Sequence, residues 1–236
     1  MDESLSRARY SHLTWNAPLS ESHADQLLDD LHLSPTDCVV DLGCGWGELL
    51  LRAVAKSRAR GIGVDIDVAA LHLGTAAAQE RCLDAKFIEL SADQWDENAE
   101  RAICIGSSHA FGGSQDMLRR LAEIIPQGRV LVGDMCWERP PTEEARKLFG
   151  EEIPQLSDMV TMCRDTGWQV LRLSTADQRE WDEFESKHRA GLREWIIANP
   201  EDPRAEEIGD QQAVREQDYL VKYRGILSFV YLVIAR

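Results

Sequence analysis

The stretch VVDLGCGWGELLLRAV, residues 39–54, opens as an apolar, β-branched run and closes as a leucine-rich one, with an aspartate and three alternating glycines between them. A short apolar run bounded by glycine reads as a buried strand, and its continuation reads as a helix. Asp41 is therefore expected at the end of a buried strand, where an ionised carboxylate is costly unless something compensates it. Gly43, Gly45 and Gly47 permit positive φ and remove side chains, so a ligand can approach the backbone at the N-terminus of the following helix.

Further strand-like runs recur outward from this point at GIGVDI, KFIEL, RAICIG and RVLVGDM. They are separated by helical patterns such as DVAALHLGTAAAQERC and SQDMLRRLAEII. This alternation predicts an α/β fold with a doubly wound, mostly parallel sheet, because parallel neighbours need crossover helices on both faces. WQVLRL and ILSFVYLVIA predict a final pair of strands, for seven in all, with a mostly helical, charged insertion between them. One domain over residues 1–236 is expected. Within it the pattern gives an N-terminal helical cap (1–34), a cofactor-binding core (36–136) and a lid-like insertion (177–224).

Composition narrows the partners. Forty-one acidic residues against 26 basic ones give a formal charge of −15 without a Lys/Arg stripe, which argues against nucleic acid. The longest apolar run, ILSFVYLVI, is far shorter than the ~20 residues of a membrane helix. The N-terminal MDESLSRARY has no basic region followed by an apolar one. A cytoplasmic protein with no membrane partner is expected. The six cysteines are scattered without a CxxC pair, so neither a disulfide framework nor a metal site is predicted.

In a doubly wound sheet the ligand crevice lies at the carboxyl ends of the strands, where strand order reverses. A second acid, Asp65, ends the next strand in GVDID, close to the ~20-residue offset at which a carboxylate meets ribose hydroxyls. Glycine loop and spaced acid together predict an adenosine-containing ligand. The third glycine comes one residue earlier than in the dinucleotide fingerprint, with Glu48 at the fingerprint's last position. An anionic Asp41 would also repel a pyrophosphate while favouring a ligand that carries an ammonium and a sulfonium.

At these residues the chain resembles the class I S-adenosylmethionine-dependent methyltransferases of small-molecule type, whose first motif reads approximately DxGxGxG. The resemblance covers residues 36–136 and implies a Rossmann-like methyltransferase fold with S-adenosyl-L-methionine as cofactor. It implies that Gly43, Gly45 and Gly47 surround the methionine part, with Asp41 near its amino group. By the same resemblance Asp65 takes the ribose hydroxyls, Ile66 packs on adenine, and Asp93 and Gln94 of LSADQW meet the adenine amine. CIGSSHAFGG ends the fourth strand near the transferable methyl group, so Gly106 is assigned to the cofactor and Ser108 to the acceptor. The segment WNAPLSES is similar to a turn that precedes the first helix in a group of these enzymes. That likeness implies that Asn16 and Ser20 fold over the methionine end and places Trp15 on the acceptor side.

Other assignments follow from residue type. His109, at a strand end, can take a proton from a hydroxyl or amine acceptor, or simply position its loop. Asp93, Ser20 and Ser22 can equally cap short helices. Trp137 can face a sulfonium or plug the core. Trp181, Phe184, His188, Leu192 and Trp195 recur at spacings of three and four, one face of a helix, with Tyr219 and Tyr223 farther along. That face predicts packing against the body of the protein, a lid carrying acceptor contacts at Trp181, Tyr219 and Tyr223, or a homodimer surface. The expected reaction is methyl transfer to an N, O or S atom of a small acceptor. The competing classes are a non-catalytic cofactor-binding subunit and a nicotinamide oxidoreductase.

Overall fold

The computed structural model describes residues 3–150 and 152–236. Seven strands form one sheet: β1 (Cys38–Leu42), β2 (Arg60–Asp65), β3 (Ala85–Glu89), β4 (Arg101–Ile105), β5 (Arg129–Trp137), β6 (Gln169–Thr175) and β7 (Leu227–Ala235). Their order is β3-β2-β1-β4-β5-β7-β6. The first five strands pair in parallel. β7 runs the other way. It is antiparallel to β6, and against β5 its far end exchanges backbone hydrogen bonds between Arg236 and Gly128 while Glu138 donates to Ile226 near its start. The mostly parallel, doubly wound sheet is as the sequence predicts. Strand order reverses between β1 and β4, which opens a crevice at their carboxyl ends.

Nine α-helices accompany the sheet among the described residues: α1 (Glu3–Tyr10), α2 (Glu21–Asp30), α3 (Glu48–Ser57), α4 (Val68–Glu80), α5 (Ser114–Ile124), α6 (Glu143–Phe149), α7 (Leu156–Asp165), α8 (Gln178–Ala198) and α9 (Ala205–Asp218). The chain clusters into two compact units. One holds residues 20–136, 154–175 and 229–236; the other holds 1–19, 137–153 and 176–228. The N-terminal segment is thus divided, with α1 in the second unit and α2 in the first.

In the first unit every residue of β1 is buried, Asp41 included, because β2 and β4 flank it. Apart from Asp41 its residues are apolar, the mark of a strand covered on both faces. The edge strands β3 and β6 alternate toward exposure instead. The apolar stripe of α5, Met117, Leu118, Leu121 and Ile124, joins Val40, Leu42, Val132 and Trp168 in one core cluster. Trp168 is wholly buried, and its indole N–H donates to the Leu118 carbonyl at 3.0 Å, so no donor is stranded there.

The second unit is held by charge as well as by rings. Asp177 and Glu180 form a capping box that starts α8. Glu185, 1% exposed, accepts two hydrogen bonds from the Arg215 guanidinium at 2.9 and 3.0 Å and one from the Tyr223 hydroxyl at 3.0 Å. Arg189, also buried, lies 3.4 Å from the same carboxylate. One turn earlier, Asp182 accepts from the Tyr219 hydroxyl at 2.6 Å and twice from Arg224 at 2.8 Å. Those bonds, Arg224's foremost, hold its carboxyl down at about 2. Both tyrosines sit on a π-helical turn, Tyr219–Tyr223, closed by the Arg224 N–H donating to the Tyr219 carbonyl at 2.9 Å. At the other end of α8, Gly191 allows α1 to approach: a Cβ there would come within 1.9 Å of the Ala8 carbonyl oxygen.

Glu185→Ala would take the buried carboxylate from Arg189, which keeps Glu216 at 3.5 Å, and from Arg215 and Tyr223. The expected loss is ~3–5 kcal/mol, the usual cost of breaking a buried ion pair from one side. Glu183→Ala removes only an exposed partner of Lys187 and should change stability by no more than ~0.5 kcal/mol. Urea unfolding of the two variants checks the contrast.

Candidate active site

The three glycines of the loop after β1 all take positive φ, +79° at Gly43, +55° at Gly45 and +71° at Gly47, and each for a different reason. A Cβ on Gly43 would fall 2.0 Å from Ser107 Oγ, so this glycine lets the β1 loop touch the loop after β4. A Cβ on Gly47 would fall 2.3 Å from the Phe87 ring. The same ring would be struck from Gly63 and Gly74 at 2.7 and 2.6 Å. Phe87, on β3, fills the hollow that three missing side chains leave. Only Gly45 faces open space, with nothing within 4 Å of its Cβ position. Of the three, it is the position where a ligand can meet bare backbone.

Two carboxylates flank this opening. Asp41 is 4% exposed, and no group among the described residues donates a hydrogen bond to it. Burial, and then the charge of Asp65, push its carboxyl up from the ordinary 3.8 to about 8. The same burial and both acids push the Cys44 thiol far up. Asp65 is half-buried and engaged on both oxygens, accepting from the Gly45 N–H at 2.7 Å and the Asp67 N–H at 2.9 Å. A carboxylate offers about four acceptor positions, so half remain. Ile66 follows at 73% exposure. The Leu90 N–H donates to the Asp65 carbonyl, so the chain leading to Asp93 and Gln94 departs from beside Asp65. Both lie exposed on a 3₁₀ turn, Ala92–Gln94. Ser91, not Asp93, is its N-cap, and the Ser91 hydroxyl donates to the Asp93 carboxylate.

The loop after β4 begins at Gly106, φ +69°, whose N–H donates to the Gly133 carbonyl at 2.8 Å. Ser107 is buried; its hydroxyl donates to the Ile105 carbonyl at 3.2 Å and reaches the Gly43 carbonyl at 3.5 Å. Ser108 and His109 open a 3₁₀ turn, Ser108–Phe111. His109 is exposed and its imidazole has no partner among the described residues. Asp134, buried near the end of β5, accepts from Ser114 Oγ at 2.9 Å and from the Met135 N–H at 2.8 Å, tying β5 to the start of α5. Sequence reasoning passed over Ser107, Phe87 and Asp134. For Asp134 the signal was present: like Asp41, it is an acid inside an apolar strand.

The remaining predicted residues divide between the units. Ser20 caps α2, accepting from the His23 N–H at 3.3 Å. Asn16 is exposed, and Trp15 is buried with its indole N–H donating to the Leu19 carbonyl at 2.6 Å. Trp137, 3% exposed, meets Phe149 edge to face at 6.0 Å; Phe149 meets Tyr223 at 4.9 Å, and Tyr223 meets Trp181 at 6.4 Å. Trp137, Trp181, Tyr219 and Tyr223 therefore belong to one chain of rings. Both tyrosine hydroxyls are used internally, whereas the Trp181 indole N–H is buried without a partner among the described residues.

Comparison with known proteins agrees with this geometry. A family model described as a methyltransferase domain matches residues 39–135. A solved S-adenosylmethionine-dependent methyltransferase from Geobacter sulfurreducens, in complex with S-adenosyl-L-homocysteine, superimposes with a TM-score of 0.89 at 25% identity, covering 100% of this chain and 99% of that one. The uncharacterized protein YjhP of Escherichia coli (strain K12) is 28% identical over 236 residues, 93% of each chain. Cyclopropane mycolic acid synthase 1 of Mycobacterium tuberculosis is 33% identical over 90 residues, 37% of this chain and 31% of that protein. The chain thus carries a methyltransferase domain over residues 39–135, and its fold is that of a solved S-adenosylmethionine-dependent methyltransferase.

Two outcomes follow from the loop. Gly47→Ala drives a methyl group into Phe87 at positive φ and should cost at least ~1–3 kcal/mol, the range for overpacking, read by thermal unfolding. For Asp41 the effect depends on pH. Between about pH 4 and pH 8 the folded protein keeps a proton that the unfolded chain, with its ordinary value of 3.8, has lost. The native state binds more protons, so this group's contribution to stability falls as pH rises through that window. Ligand-free Asp41→Asn should match the wild type near pH 4 and become progressively more stable than it toward pH 8, in melting curves across that range.

Proposed function

We propose that this methyltransferase transfers a methyl group to a nitrogen, oxygen or sulfur atom of a small-molecule acceptor by in-line displacement. The observation that carries the cofactor assignment is the buried, unpartnered Asp41 carboxylate beside the open approach at Gly45. A zwitterionic amino-acid end, with an ammonium for the carboxylate, suits that combination. S-adenosylmethionine supplies such an end, and its sulfonium supplies an electrophilic methyl group.

In this reading Gly43, Gly45, Gly47 and Gly106 shape the loops around the methionine part, and Asp41 meets the ammonium. Asp65 uses its free acceptor positions for the ribose hydroxyls, Ile66 offers an exposed apolar face to adenine, and Asp93 and Gln94 meet the adenine amine. Ser20 and Asn16 complete the methionine end, although the Ser20 hydroxyl already serves as a helix cap. His109 accepts the acceptor's proton where that acceptor is a hydroxyl, and Ser108 lies beside it in sequence. Trp15, Trp137, Trp181, Tyr219 and Tyr223 provide apolar ring faces for the acceptor, the polar tips of Trp15, Tyr219 and Tyr223 being engaged. The protein's share of catalysis is then positioning, worth up to ~7–11 kcal/mol in favourable cases.

A small acceptor fits the charge of −15, which works against a phosphate backbone. The likeness to cyclopropane mycolic acid synthase 1 covers 37% of this chain, too little to carry that protein's acceptor across. The test is incubation with methyl-labelled S-adenosylmethionine and a metabolite extract, followed by mass spectrometry. A labelled small molecule is expected; label found only in nucleic acid or protein would overturn the reading. Asp65→Ala should weaken cofactor binding by ~1.5–3 kcal/mol, the worth of hydrogen bonds to a charged group, in calorimetry.

A further inference from the structure

Unlike Asp65, Asp93 and Asp134, Asp41 accepts no hydrogen bond among the described residues. From β2 it meets Asp65, from the glycine loop Cys44, and from β4 Cys104, a thiol that also feels Asp134 of β5. The remaining charged groups of the elements packed on β1 lie elsewhere, Arg60 of β2 beside Cys38 at the opposite end of the strand. On α3, Glu48 is paired with Arg81, Arg52 with Glu21, and Lys56 with Asp29. Arg101, at the opposite end of β4, donates to the Leu31 carbonyl. No cation among the described residues compensates the Asp41 carboxylate.

We propose that Asp41 selects ligands bearing an α-ammonium group by proton exchange: it holds a proton in the free protein and releases it to solvent as the ammonium docks. This deepens the cofactor reading above and rests on it. The balance is simple, a neutral carboxyl and an ammonium becoming a carboxylate–ammonium pair plus one proton taken up by buffer. Burial without a donor disfavours the charged carboxylate, and an incoming cation reverses that preference at the same atom. A nucleoside without the amino acid gains nothing from Asp41 and leaves its proton in place. Discrimination against it therefore grows with pH, and affinity for the ammonium-bearing ligand rises nearly tenfold per pH unit below the point where Asp41 ionises by itself.

The experiment is titration calorimetry of the full chain with S-adenosylhomocysteine and with 5′-methylthioadenosine, at pH 6, 6.5, 7 and 7.5, in two buffers of different ionisation enthalpy. Close to one proton should be released per S-adenosylhomocysteine at pH 6, with affinity rising about tenfold from pH 6 to 7. With 5′-methylthioadenosine, no proton should be released and affinity should stay flat. Asp41→Asn should bind S-adenosylhomocysteine without proton release and with little pH dependence. PH-independent binding of S-adenosylhomocysteine by the wild type overturns the proposal, as does proton release that survives in Asp41→Asn or appears equally with 5′-methylthioadenosine. Failure of the wild type to bind either ligand would instead overturn the cofactor reading.

Discussion

Asp41 stands where the sheet leaves least room for a charge. β1 is the strand at which the order reverses, so β2 and β4 both flank it and every one of its residues is buried. A carboxylate there must stay neutral or find a cation. Its neighbour on β2 is the same residue type in a different setting: Asp65 accepts two backbone N–H groups, whereas Asp41 accepts none among the described residues. Two aspartates on adjacent strand ends thus sit in distinct settings, one tying down the glycine loop and the other buried without a donor among the described residues.

The loop between them is held from outside as much as by its own glycines. Phe87 reaches from β3 into a space shared by Gly47, Gly63 and Gly74, which come from a loop, a strand and a helix. Ser107 holds the Gly43 side of the loop from β4. Once both ends are fixed by packing, Gly45 remains the open position of the loop, and its N–H donates to the Asp65 carboxylate. Rigid support around one accessible position suits a site that must hold a methyl donor in line with an acceptor.

The helical unit solves a different problem with similar means. Its long helix α8 carries two acids one turn apart, and a single π-helical turn presents Tyr219 to Asp182 and Tyr223 to Glu185. Guanidinium groups of Arg224 and Arg215 complete the two clusters. The Glu185 cluster is buried, and such groups are costly when incomplete and specific when complete, so it fixes which faces of α8 and α9 meet, whereas the Asp182–Arg224 pair is partly exposed. The rings then form a continuous edge-to-face chain from Trp137 to Trp181, in which the Trp181 indole N–H has no partner among the described residues.

Much of the fold was legible in the sequence because its signals are local. Unbroken apolar runs mark strands covered on both faces, 3.6-residue stripes mark the helices, and DLGCGWG with a spaced Asp65 marks the strand-end loop. The helical face from Trp181 to Trp195 was equally plain. What the tertiary structure alone decided concerns partners brought together from distant parts of the chain. That Gly47 makes room for Phe87 while Gly45 faces open space is invisible in an alternating glycine pattern. Ser107 rather than Ser108 is buried against the β1 loop, and the hydroxyls of Tyr219 and Tyr223 are consumed by α8. The residues 1–34, read as one cap, divide between two compact units. Periodicity records which face of an element is buried, whereas the identity of the atom that meets it depends on strand order and helix pairing, which no local pattern contains.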